Sequence, residues 1–122
     1  MLKKFIASME SHLPLTILDV EWNDPVLSLM GANWSFNTTS TWRLVDESRL
    51  IAGSEDELAQ NAIKMLVGID IVRCEPMSIS PALDPRFILK NGFRLEIFSA
   101  TATEPWVMSL KDGPIFVASP SA

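Results

Sequence analysis

Tyrosine is missing from this chain altogether, cysteine and histidine occur once each (Cys74 and His12), and only five glycines are present. Each shortage excludes a class of chemistry. A single cysteine forms no internal disulfide, which fits a reducing compartment or an accidental thiol. One histidine and one cysteine do not make a zinc site of the usual kind. The dispersed glycines give neither a phosphate-cradling loop nor a dinucleotide fingerprint. A nucleophile triad needs a base beside Ser or Cys and an orienting carboxylate. Nothing in the sequence joins His12 to Cys74 in that way. His12 reads as a surface residue, and Cys74, within an apparent strand, as a small core residue.

Long hydrophobic runs are scarce too. No stretch approaches the ~18 apolar residues of a membrane span. The opening MLKKFIASMESHLP sets two lysines before apolar residues, as a signal peptide does, yet Glu10, Ser11, His12 and Pro14 interrupt the run. The sequence therefore reads as cytoplasmic, with no membrane partner.

What is present is enough for one ordinary domain over residues 1–122. Hydrophobic residues make up 48% of the chain, and four Trp and six Phe supply large areas to bury. The mean hydropathy of +0.20 leaves room for some apolar surface directed at a partner. Fifteen acidic residues against ten basic ones give a net charge of −5. Such a chain repels phosphate backbones, and its only adjacent basic pair is Lys3-Lys4, so no nucleic acid is expected as a partner.

The patterning predicts mostly strands. Leu2, Phe5, Ile6 and Met9 fall at helical spacing, which predicts a short helix ended by Pro14. From Leu15 the period changes to two, with Leu18, Val20 and Trp22 on one face, and Asn23-Asp24-Pro25 marks a turn. Val26 to Met30 reads as a further strand. Trp34, Phe36, Thr38, Ser40, Trp42 and Leu44 then occupy every even position, as in a strand with its aromatic residues facing inward. The polar middle of that run, 37–41, is open to a second reading as a turn between two shorter strands.

Leu50 to Ala52 follows as a short strand. The main helix is expected over 55–67, with Ser54 and Glu57 as a capping box, an apolar stripe of Leu58, Ala62, Met65 and Leu66, and Gly68 as its stop. Ile69 to Ile79 reads as a strand with an irregularity at Pro76, and 80–85 as a loop. A two-residue Asn91-Gly92 turn would split the apolar face of the next hairpin. A three-residue loop instead pairs Leu89 with Phe93 and Phe87 with Leu95, so the buried face selects it, with Gly92 in the left-handed conformation. Trp106, Met108 and Leu110 alternate, Lys111-Asp112-Gly113 turns the chain, and an edge strand after Pro114 leads to a frayed tail. Together these elements predict an α+β domain. It has a mainly antiparallel twisted sheet of about six to eight strands, one main helix (55–67) on a face and a short N-terminal helix.

Two sets of residues stand out as candidate sites. Trp34, Trp42 and Trp106, with Arg43 and Glu104 close in sequence, read first as sheet core and second as an aromatic pocket flanked by charge. Asp46, Glu47, Glu55, Asp56 and Glu57 read first as a solvated loop and helix start, and second as an acidic docking surface for a basic protein. Carboxylate pairs for proton transfer are available from Asp84, Glu96 and Glu104. No metal or other cofactor is implied, and the inventory leans away from an enzyme. Asn33-Trp34-Ser35 and Asn37-Thr38-Thr39 match glycosylation acceptors, which matter only in a secreted chain.

The order Trp34, Phe36 and Thr41-Trp42-Arg43-Leu44, then Asp84, Phe87, Leu89, Asn91-Gly92 and Leu95-Glu96-Ile97-Phe98, then Glu104-Pro105-Trp106 resembles a family of small bacterial domains without an assigned activity. The resemblance spans residues 34 to about 110. It implies a "W-R-L" strand before a helix and an "N-G" hairpin leading to an "E-x-W" strand. It also implies, by analogy, an immunity-like role in which the domain neutralises a toxin. The expectation is accordingly a protein-binding module, with a small-ligand binder or minor enzyme built around a Trp-lined cavity as the alternative. Self-association as a homodimer is expected from the apolar N-terminal stripe and from the edge strand Ile115-Phe116-Val117, the competing account being that this helix and strand cover each other within one chain.

Overall fold

A computed structural model describes residues 2–77, 84–98, 106–110 and 115–117, and the side chains of all of these except the first two. Most of the expected 80–85 loop, Glu104, the 111–113 turn, Pro114 and the 119–122 tail lie outside the described residues. The architecture is two antiparallel sheets and two helices. The chain runs α1 (Leu2–His12), β1 (Leu15–Thr16), β2 (Asp19–Asn23), β3 (Val26–Met30), β4 (Ser35–Thr38), β5 (Thr41–Asp46), β6 (Arg49–Gly53) and α2 (Ala59–Lys64). It continues with β7 (Asp70–Pro76), β8 (Pro85–Leu89), β9 (Phe93–Phe98), β10 (Trp106–Ser109) and β11 (Ile115–Val117). The expected α+β class with antiparallel pairing holds. The strand number does not: eleven described strands divide into a six-stranded sheet, β1-β7-β8-β9-β5-β6, and a five-stranded sheet, β11-β10-β4-β3-β2.

The division arises at two short links. β1 and β2 belong to different sheets although only Ile17 and Leu18 separate them, and β4 and β5 change sheet across Thr39 and Ser40. The second link is the polar middle of the alternating run. Thr38 Oγ1 accepts a hydrogen bond from Ser40 N (2.9 Å), a side-chain turn that redirects the strand without breaking its parity. Trp34, Phe36, Thr38, Ser40, Trp42 and Leu44 are therefore all buried, on either side of the switch. Leu18 sits on the first link and is 55% exposed, so it leaves the face that Val20 holds.

The sheets share one core. Phe36 of β4 meets Phe87 of β8 edge to face at 4.9 Å between centroids, and Trp22 of β2 meets Trp42 of β5 at 5.3 Å. Such pairs contribute roughly 0.5–1.5 kcal/mol beyond burial alone. α1 packs beside β7 and buries Phe5 and Met9, and Phe5 meets Trp106 at a tilt (4.7 Å between centroids) and Phe116 edge-on (5.4 Å). α2 packs against β2 and β6, edge strands of the two sheets.

The 85–98 hairpin has the register that its buried face requires. Phe87 lies opposite Leu95, Gly92 has φ 93° and Gly92 N donates to Leu89 O at 2.9 Å. In β7 the irregularity falls between Ile71 and Arg73 rather than at Pro76.

The main helix is shorter than the expected 55–67. Ser54 Oγ accepts from Trp42 N (3.3 Å), which takes it away from a capping box, and Asp56 Oδ1 accepts from Leu58 N (2.9 Å). Residues 54–58 consequently form turns, and the helix starts at Ala59 with no side-chain cap. After Lys64 the chain tightens into three-residue turns up to Gly68, whose φ of 87° ends them. The later start rotates the apolar stripe. Ala59, Ala62, Ile63 and Leu66 face the core at i, i+3, i+4 and i+7, while Leu58 and Met65 are 60% and 52% exposed.

Candidate functional site

The tryptophans do not enclose a common cavity. Trp42 and Trp106 are buried in the core, where they fill space between the sheets. Trp34 is buried at one end of the molecule, where its indole Nε1 donates to Thr16 O at 3.3 Å. It forms one wall of a cleft of about 380 Å³ with His12, Pro14, Leu15 and Leu18. His12 is tied into the last turn of α1, its Nδ1 lying 2.8 Å from Ser8 O. The buried Cys74 thiol is pushed up to about 12, by burial first and then by Glu75 and Glu10. It stays protonated at neutral pH, the opposite of an activated nucleophile.

Arg43 follows Trp42 in β5, so strand alternation directs it to the opposite, outer face of the six-stranded sheet. There it joins residues that were not singled out as a group from the sequence. Glu96 lies opposite Arg43 on one side and opposite Arg86 on the other, and Glu75 lies opposite Arg86. Glu96 is only 4% exposed. Its Oε1 accepts from Arg43 Nε at 2.5 Å and its Oε2 from Arg86 Nε at 2.9 Å. Arg86 also reaches Glu75 (3.7 Å), which pairs with Arg73. Two guanidiniums satisfy the buried carboxylate, one on each oxygen, which is the condition for keeping a charge out of water. The signal was present in the hairpin: pairing Phe87 with Leu95 on the inner face sets Arg86 against Glu96 on the outer face. Arg43 also lies 4.8 Å above the Phe98 ring centroid.

The five acids of the expected docking surface separate into two groups. Asp46 and Glu47 sit at the β5–β6 turn, with Glu47 at φ 55°. Glu55, Asp56 and Glu57 lie beyond the other end of β6, whose five residues span roughly 15 Å. The second group is exposed and adjoins Leu58, whose side chain together with those of Met65 and Val67 (47% exposed) leaves apolar surface around α2.

The geometry defines an antiparallel two-sheet α+β fold with a filled interior, an outer arginine–glutamate row and exposed acidic and apolar residues on the flanks of α2. No family model matches the chain, and neither the curated proteins nor the solved structures compared with it give a match.

Proposed function

We propose that this chain is a non-catalytic protein-binding module that docks through the exposed surface flanking α2. The observation carrying this reading is the exposure of Leu58, Met65 and Val67 at the two ends of α2, with the exposed Glu55, Asp56 and Glu57 directly before Leu58. Leu58 immediately precedes α2 and Met65 immediately follows it, so the two bracket a six-residue helix about 9 Å long. Large apolar groups grouped on a surface and rimmed by charge are the pattern of a contact site. The partner that fits is a protein with an apolar patch bordered by Lys and Arg, since it would meet three carboxylates on a chain of net charge −5. A toxin partner, as in immunity-like domains, is one form of this reading, and its support is the resemblance.

The test is binding of the purified chain to the product of the neighbouring gene and to partners captured from the host. Wild type is compared with Leu58→Ser/Met65→Ser and with a Glu55→Lys/Asp56→Lys/Glu57→Lys triple variant. Binding that both variants weaken supports the reading, and binding that neither changes contradicts it. Self-association through the β11 edge belongs to the same proposal, because Ile115 and Val117 are 65% and 39% exposed there. Light scattering at micromolar concentration should give twice 13.6 kDa. A mass that stays at 13.6 kDa on concentration removes it.

A second reading, a small-ligand binder, has its own observation in the cleft of about 380 Å³ beside Trp34, a size within the range of small-molecule sites. Mass spectrometry of material released from the purified protein tests it. A co-purifying compound that Trp34→Ala abolishes favours this reading over the module.

A further inference from the structure

The outer face of the six-stranded sheet holds an imbalance of charge. Arg43, Arg86 and Arg94 converge with Glu96 on a cleft of about 320 Å³ that Glu47 and Leu50 close from the β5–β6 side. The row through this cleft contains four guanidiniums, those of Arg43, Arg73, Arg86 and Arg94. Three carboxylates face them, those of Glu47, Glu75 and Glu96. One positive charge is left over, on a protein that is acidic as a whole.

The hydrogen bonding is incomplete at the same place. Both oxygens of Glu96 are already used by Arg43 and Arg86. Arg94 donates through one terminal nitrogen to Glu47 O, but its Nε is buried with no acceptor among the described residues. A buried guanidinium N–H without an acceptor is costly, and an oxyanion is the group that Arg forks match. Beyond Arg43 a second cleft of about 320 Å³ opens over Leu50, Gly53 and Phe98. Its largely apolar lining, which also includes Thr41, Ser54 and the carboxylate of Glu55, adjoins the cationic one, with Arg43 and Leu50 in both.

We propose that this double cleft binds a small organic carboxylate. The carboxylate accepts from Arg94 and Arg43 and cancels the surplus charge, while an aryl or alkyl remainder lies over Leu50 and Phe98. A monoanion fits the single excess charge of the first cleft, and the largely apolar second cleft, with Glu55 at its far side from Arg94, gives an organic acid an advantage over a bare inorganic ion. The site shares Glu55 with the surface proposed for docking, but its arginines lie on β5, β8 and β9, away from α2.

The test is an NMR titration of the full chain with sodium benzoate, sodium acetate and inorganic phosphate at constant low ionic strength. Saturable benzoate binding is expected, tighter than acetate or phosphate, with the largest amide shifts at Arg43, Leu50 and Arg94. Arg94→Gln should weaken it about tenfold or more. Arg43→Gln, at a half-exposed position, should weaken it too, and it carries the test if the Arg94 variant does not fold. Three results would overturn the proposal: no saturation, phosphate tighter than benzoate, or benzoate binding unchanged in a folded Arg43→Gln or Arg94→Gln protein.

Discussion

Replacing Gly31 with alanine probes how the end of the molecule around Trp34 is built. A methyl group at Gly31 would stand 1.8 Å from Trp34 Nε1 and 2.4 Å from Cδ1. Gly31 does not occupy the left-handed region, so its backbone accepts alanine and the whole cost falls on the indole. Trp34 is 7% exposed, and its loop is closed by Gly31 N donating to Trp34 O at 3.0 Å. Expelling the ring completely would expose roughly 150–250 Å². At about 25 cal/mol per Å² that is ~4–6 kcal/mol. A ring that swings only partway and loses its bond to Thr16 O should cost about 2–3 kcal/mol. Urea unfolding of four proteins measures this: wild type, Gly31→Ala, Trp34→Leu and the double variant. With the indole gone, Gly31→Ala should be neutral or stabilising by a few tenths of a kcal/mol, because alanine restricts the unfolded chain. The coupling energy should thus be about 2 kcal/mol. A cost for Gly31→Ala below about 0.5 kcal/mol, or an equal cost in both backgrounds, would refute the reasoning.

Two further outcomes follow from the sheet. Glu96→Ala strands two guanidiniums, and Arg86, with its side chain 28% exposed, is poorly placed to recover its loss from water. It should cost about 2–3 kcal/mol in urea melts, whereas Arg43→Ala, at 49% side-chain exposure, should cost about 1 kcal/mol or less. The reverse order would show that the row is not centred on Glu96. Cys74 gives a signature in pH. The folded thiol holds its proton up to about 12, against 9.0 for an ordinary thiol in the unfolded chain. Stability is therefore unaffected by this group below about pH 9 and falls as pH rises from there, by at most about 1.4 kcal/mol per pH unit. Subtracting the profile of Cys74→Ala isolates that slope, and identical profiles would contradict it.

The parts of this fold legible in the sequence are those governed by local periodicity. The even-numbered burial from Trp34 to Leu44 and the hairpin register both follow from keeping apolar groups on one face. The assignment of strands to two sheets was not legible, because a two-residue link such as Thr39-Ser40 preserves the alternation and so leaves no break in the pattern. The helix phase was misread for a related reason. Ser54 and Glu57 spell a capping box, but Ser54 is taken by Trp42 N, a tertiary contact invisible to local spacing. The helix starts at Ala59 instead, and Leu58 and Met65 are left exposed. Of the candidate residues, the tryptophans read first as core, and Trp42 and Trp106 are found there. Arg43 gains its place from partners on two other strands, β8 and β9, that only the register brings together.

The central proposal is that the exposed surface flanking α2 docks a basic-rimmed protein. Its most direct measurement is the dissociation constant of the purified complex for wild type and Met65→Ser, each at 50 and 300 mM salt. Met65 is half exposed, so the substitution should leave unfolding unchanged within about 0.5 kcal/mol. The account predicts binding at least tenfold weaker for the variant, and weaker at high salt for both proteins. Equal affinities for wild type and a folded Met65→Ser, with no dependence on salt, would contradict it.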